Sequence, residues 1–160
     1  MKLITQELLD ELAVRAAASP RLRTHFNLHT SNEDRVQRYL VVANRDSYFR
    51  PHRHPTRAEL ALIVRGRLDL VAFDAAGRVT ARHAFGPGTA NIAYENGPGN
   101  WHTVIVQADG SAFLEIKEGP YDPASASEFA AWAPAEGEPG VREFLEWARR
   151  AQHGEQLPRQ

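Results

Sequence analysis

Apolar positions in this chain change their spacing twice. Near the N-terminus Leu8, Leu9, Leu12, Ala13 and Ala16 recur along one helix face, with Thr5 as cap and Ser19-Pro20 as stop. That predicts an amphipathic helix over about 5–19. Ser31 and Asp34 form a capping-box-like pair for one helical turn, and the β-branched and aromatic residues of 36–43 then favour a strand over its prolongation. Short apolar runs follow at 48–54, 59–64, 67–73, 78–84, 89–94, 101–107 and 112–117. Turn signals separate them, among them Arg65-Gly66, Asp74-Ala75-Ala76-Gly77, Gly97-Pro98-Gly99 and Ala108-Asp109-Gly110. Short strands at this regular spacing, with no long helix between them, predict an all-β antiparallel barrel or sandwich and argue against α/β.

The helical period returns after the barrel. Ser125 and Glu128 form a capping box ahead of Phe129-Ala130-Ala131-Trp132, and Val141, Phe144, Leu145 and Ala148 share one face. Short C-terminal helices are therefore expected within about 125–151, and the whole of 1–160 reads as a single domain with its barrel at about 36–118. In the strand from Glu59 both alternating faces are apolar, Ala61 and Ile63 on one and Leu60, Leu62 and Val64 on the other. A helix or a second subunit must cover the outer one. A homodimer is the expectation, and light scattering tests it.

Composition narrows the partners. A net charge of −1 provides no overall basic field, so neither nucleic acid nor an anionic membrane is an expected partner. Cysteine is absent, which leaves histidine and carboxylate as the available metal ligands. The first residues run into Gln6-Glu7 without a signal-type apolar core, and no stretch reaches membrane-span length, so the expected location is cytoplasmic. Among 19 basic residues only Lys2 and Lys117 are lysine; codon bias accounts for that dominance of arginine more simply than selection for anion recognition, which stays open for single arginines.

One stretch carries chemistry. On an extended chain His52 and His54 project to the same side with α-carbons about 7 Å apart. Glu59 returns at the start of the next strand, and His102 comes from a distant one that is adjacent only if the sheet rolls closed. Three imidazoles and a carboxylate suit one divalent transition metal, Mn, Fe, Co, Ni or Zn, and suit Ca or Mg poorly.

His52-Arg53-His54, Glu59 and Gly66 resemble the first motif of the cupin superfamily, and Pro98-Gly99-Asn100-Trp101-His102 resembles its second. The resemblance implies a double-stranded β-helix, or jelly-roll barrel, with a metal held inside by His52, His54, Glu59 and His102. Two positions depart from the pattern. Asp46 stands where a glycine is usual, and the second motif is one residue shorter, with Val106 in place of asparagine. Stretches such as Ser47-Tyr48-Phe49-Arg50-Pro51-His52-Arg53-His54, Glu115-Ile116-Lys117-Glu118-Gly119-Pro120-Tyr121 and Phe129-Ala130-Ala131-Trp132-Ala133-Pro134 further resemble the WbuC-type cupin fold metalloproteins. That family implies a setting in surface-polysaccharide (O-antigen) metabolism and a carbohydrate-like small-molecule ligand.

Strand parity puts Tyr48 and Arg50 on the face of His52 and His54, and Glu115 and Lys117 together on the last barrel strand. If those faces line the barrel, Tyr48 or Glu115 can exchange protons, and Arg50 or Lys117 can hold charge. Alternatively Pro51 disturbs the alternation and Arg50 lies at the rim. The expected function is a metal-dependent isomerase, epimerase or lyase. Fe(II) oxygen chemistry, a non-catalytic metal-containing sugar binder and a purely structural metal remain the alternatives.

Overall fold

Thr5 caps the first helix through its side chain. Its Oγ1 accepts the Leu8 amide at 3.2 Å, and α1 runs Gln6–Ala18 with Leu9, Leu12 and Ala16 buried. Thr5→Ala is expected to cost about 1 kcal/mol in urea denaturation, the usual worth of such a cap. In the computed structural model, which describes residues 1–157, ten strands follow. They are β1 (Arg23–Asn27), β2 (Val36–Ala43), β3 (His52–Arg53), β4 (Glu59–Arg65), β5 (Leu68–Phe73), β6 (Val79–Phe85), β7 (Ala93–Asn96), β8 (Trp101–Val106), β9 (Ser111–Glu118) and β10 (Glu128–Phe129), with α2 (Val141–Ala148) last.

The strands form two five-stranded antiparallel sheets, ordered β1-β2-β9-β4-β7 and β10-β3-β8-β5-β6. Their facing sides enclose an apolar core built on Val41, Ala61, Leu68, Leu70, Phe85, Val104, Val106 and Phe113. The outer sides are closed by the terminal helices. Leu9, Leu12 and Ala16 of α1 pack on Leu40, Val42 and Ala112 of the first sheet. Phe144, Leu145, Trp147 and Ala148 of α2 cover Val71, Phe73, Val79 and Ile105 of the second. Leu60 and Leu62 stay exposed on the outer side of β4, so α1 covers that side of the sheet incompletely. Among the described residues no helix is long and apolar enough to cross a membrane.

Register explains why one end of this interior is polar. Directly opposed residues in an antiparallel ladder point the same way. Asn27, Tyr39, Glu115 and Ala61 oppose one another across β1, β2, β9 and β4, and Gln37, Lys117, Glu59 and Asn96 do so across β2, β9, β4 and β7. The turn that fixes β4 against β5 needs Gly66. Its φ is +76°, and a Cβ there would meet the Ser111 backbone at 2.7 Å.

Several sequence expectations are corrected. Residues 48–51 lie outside the ladder, so the strand expected over 48–54 shrinks to His52–Arg53. The strand expected over 89–94 forms later, at Ala93–Asn96. The helix expected after Ser125 does not form: Glu128 and Phe129 pair with Arg53 and His52, and Ser125 Oγ donates to Asp122 instead. β1 was not anticipated at all.

Candidate metal centre

Three strand segments and one loop residue bring the four motif residues together. His52 lies on β3 opposite His102 of β8, Glu59 opens β4, and His54 follows β3. One donor atom from each of His52, His54, Glu59 and His102 lies within 4.8 Å of the others. His54, Glu59 and His102 are almost fully buried.

Hydrogen bonding fixes which atoms face inward. The Nδ1 of His52 lies 3.0 Å from the Arg50 carbonyl, that of His54 2.7 Å from the Ala126 carbonyl, and that of His102 3.0 Å from the Asn100 carbonyl. A carbonyl can only accept, which favours the proton on Nδ1 and a lone pair on Nε2 in each ring; at His102 this tautomer requires the Asn96 amide to turn its oxygen toward Nδ1. Those lone pairs meet a carboxylate: His54 Nε2 is 2.9 Å from Glu59 Oε2, and His102 Nε2 is 3.3 Å from Glu59 Oε1. Two acceptors face each other at these distances only with a cation or an added proton to share; the Lys117 ammonium is one such cation between His54 and Glu59, and the pair of His102 and Glu59 has none among the described residues. The donor set therefore fits a borderline metal ion, with the backbone carbonyls acting as the outer groups that hold each ring. Burial, then the neighbouring His102, pushes the His52 pKa down to about 3, which keeps that imidazole neutral and available as a ligand.

Beside this cluster lie Glu115 and Lys117. Lys117 Nζ is 2.8 Å from Glu59 Oε2 and 3.1 Å from His54 Nε2, and it is also paired with Glu115. Burial would raise the Glu59 pKa, but the Lys117 ammonium beside it, together with the imidazoles of His102 and His54, outweighs burial and holds this carboxyl well below its ordinary value. Glu115 behaves in the opposite way. Burial raises its pKa to about 8, with Glu59 adding to the rise and Lys117 opposing it. Lys117 itself is desolvated, yet Glu115 and Glu59 hold its pKa well above the usual lysine range. One ionised carboxylate, one protonated carboxyl and one ammonium thus share a small volume. A cleft of about 250 Å³ lined by His54, Lys117, Tyr39, Tyr121 and Phe129 opens onto them.

Glu115 and Lys117 share a face and meet the histidine cluster, as strand parity predicts. Tyr48 does not. Its ring packs on Phe144 beneath α2 and its hydroxyl donates to the Pro134 carbonyl at 2.8 Å. Pro51 explains the difference: the chain leaves the ladder before it, and alternation counted back from His52 fails. Arg50 turns its guanidinium to the Ala130 carbonyl at 3.0 Å and over the Phe129 ring, and meets the site through its own carbonyl on His52. Two neighbours escaped sequence reasoning. Tyr94 Oη donates to Glu59 Oε1 at 3.3 Å, and the Asn96 side-chain amide lies 2.9 Å from His102 Nδ1. Only the pairing of β7 with β4 brings them in, and no local motif announces it.

A family model described as Domain of unknown function (DUF6016) matches residues 4–85, a span that includes His52, His54 and Glu59. No curated protein matches. Three solved structures are similar. An uncharacterized conserved protein with a double-stranded beta-helix domain from Klebsiella pneumoniae is 14% identical over 81% of this chain and 97% of its own, with a TM-score of 0.56. Rru_A2000 from Rhodospirillum rubrum, a cupin-2 domain, is 20% identical over 81% of this chain and 82% of its own, with a TM-score of 0.53. The capsular polysaccharide assembling protein CapF from Staphylococcus aureus is 15% identical over 69% of this chain, which spans 30% of CapF, with a TM-score of 0.54. The fold is that of the cupins, a double-stranded β-helix.

Proposed function

Because the chain belongs to the family described as Domain of unknown function (DUF6016), whose description names no reaction, we propose its function from the site itself. It is a metal-dependent enzyme that moves a proton on a small, anionic, carbohydrate-like molecule by isomerase, epimerase or lyase chemistry. His52, His54, Glu59 and His102 would hold one divalent transition metal, Mn, Fe, Co, Ni or Zn. When bound, that ion supplies Lewis acidity toward a substrate oxygen.

The observation that carries this reading is the Glu115 carboxyl beside the cluster, with its pKa raised to about 8. A group of that proton affinity can give a proton near neutral pH and, once ionised, take one back. Lys117 remains cationic beside it and can hold a substrate anion or a negative charge that develops during reaction. Tyr48, held under α2, takes no part in the proposal, and Arg50 enters it only through the carbonyl that orients His52.

The carbohydrate setting rests on the resemblance to the WbuC-type cupins, and the likeness of fold to CapF is compatible with it. Cytoplasmic location belongs to the same proposal. Glu115→Gln is expected to keep the fold and metal content while lowering turnover about 100-fold or more. Metal-loaded protein is to be screened against sugar phosphates, nucleotide sugars and keto acids. A panel that stabilises the protein yet yields no product would replace the enzyme reading with a metal-containing binder.

A further inference from the structure

The polar lining does not stop at the metal cluster. Glu115 stands opposite Tyr39, and Tyr39 opposite Asn27, so one row of facing residues leads from the candidate centre to the edge strand β1. His25, two residues before Asn27, points the same way. At that edge lies a second cavity of about 320 Å³, within the range that takes a small ligand. Gln37, Tyr39 and Tyr121 line both this cavity and the cleft at His54 and Lys117, so the two are neighbours on one path. Tyr39 divides them. Its ring lies 5.7 Å from Lys117 Nζ, and on its other side it meets His25 and His29 edge-on at 6.4 and 6.0 Å.

The charge of the second cavity is positive. Arg21 and Arg23 both line it, and they share the single carboxylate of Glu136. Arg23 is committed to the Tyr48 carbonyl, Ser47 Oγ and Glu136. Arg21 reaches Glu136 through Nε, and its side chain is 60% exposed, which leaves its terminal nitrogens available to a ligand. Burial, then Arg21, Arg15 and His29, lower the pKa of His25, the response of a base in a cationic field. Amides from Asn27 and Asn32 and the rings of Tyr39 and Tyr121 also line it, with Val41 and Phe49 as an apolar floor. Cationic forks, amides and aromatic rings together suit a polyol that carries negative charge.

We propose that this cavity is a second subsite, which takes the phosphate or carboxylate end of an extended polyhydroxylated ligand whose other end lies at the His52–His54–Glu59–His102 cluster. The cavity as an anionic-sugar site stands on its own lining. Its connection to the reacting end rests on the function proposed above.

The experiment is an amide NMR titration of the full chain with four probes: glucose 6-phosphate, glucuronate, D-glucose and inorganic phosphate. Saturable shifts at His25, Asn27 and Tyr39 are expected with the two anionic sugars, and their relative strength separates phosphate from carboxylate. D-glucose and inorganic phosphate should each bind about tenfold more weakly or worse. Arg21→Glu with His25→Glu, both on an exposed edge, should weaken glucose 6-phosphate by about tenfold or more and leave D-glucose unchanged. Should the double variant unfold, Arg21→Gln alone, which removes the free guanidinium, should still weaken the anionic sugars. Shifts confined to His54 and Lys117, equal affinity for neutral and anionic sugars, or no saturable shift with any probe would each overturn the proposal. No turnover is needed for this readout, so an inactive protein with a saturable cavity would sink the enzyme reading and spare the subsite.

Discussion

Titration with Mn, Co, Ni or Zn is expected to raise the melting temperature by roughly 8–16 °C at a thousandfold excess over Kd. A ligand that binds only the folded state adds about 4 kcal/mol at that excess, and a chain of this length gains about 2–4 °C per kcal/mol. The gain should be large because the protein already bears the cost of ordering the donors. Three rings are held by bonds to the carbonyls of Arg50, Ala126 and Asn100, and those of His54 and His102 face the Glu59 carboxylate at 2.9 and 3.3 Å. His52→Ala with His54→Ala should abolish the shift, and EDTA should reverse it. A wild-type melting curve indifferent to every one of these ions would end the metal assignment, as would an equal shift in the double variant.

Lys117→Met should destabilise the metal-free protein by about 3–5 kcal/mol at pH 8, the usual cost of stranding a buried charge. Lys117 is the cation between Glu59 and Glu115, with its side chain only 15% exposed. Without it two buried carboxylates confront each other. Glu115, whose pKa is already raised to about 8, is pushed higher still. The sign follows from linkage: a carboxyl whose folded pKa exceeds its unfolded value contributes stability below the unfolded pKa, near 4.5, and loses it as pH rises through the folded one. The penalty of Lys117→Met should therefore shrink toward pH 5 and grow toward pH 9. Adding Glu115→Gln should recover part of the loss at pH 8, because a single carboxylate then remains. Urea denaturation at three pH values measures this, and a penalty independent of pH would contradict the shared-charge arrangement.

What could be read from the chain depended on whether the signal was local. His52, His54, Glu59 and His102 were legible because ligand chemistry requires those residue types at strand spacing. Glu115 and Lys117 were legible because β9 is a regular strand in which parity holds over eight residues. Parity failed for Tyr48 because proline interrupts the ladder between it and His52. β1 was missed for a physical reason too: its inward positions are Arg23, His25 and Asn27, which line the cavity beside Tyr39 and so erase the apolar alternation. The capping box at Ser125 was a local preference overruled by pairing of Phe129 with His52. Tyr94 and Asn96 entered the site through pairing alone.

The bond from His54 Nδ1 to the Ala126 carbonyl spans 72 positions, and the partner of β3 on its free edge is β10. During synthesis, the first two histidines and Glu59 therefore leave the ribosome long before the residues that orient them. His102 must follow by some forty positions, and residue 126 later still. An ion held by these four residues would therefore reach its final geometry only once most of the polypeptide has emerged, which makes loading a late, effectively post-translational event.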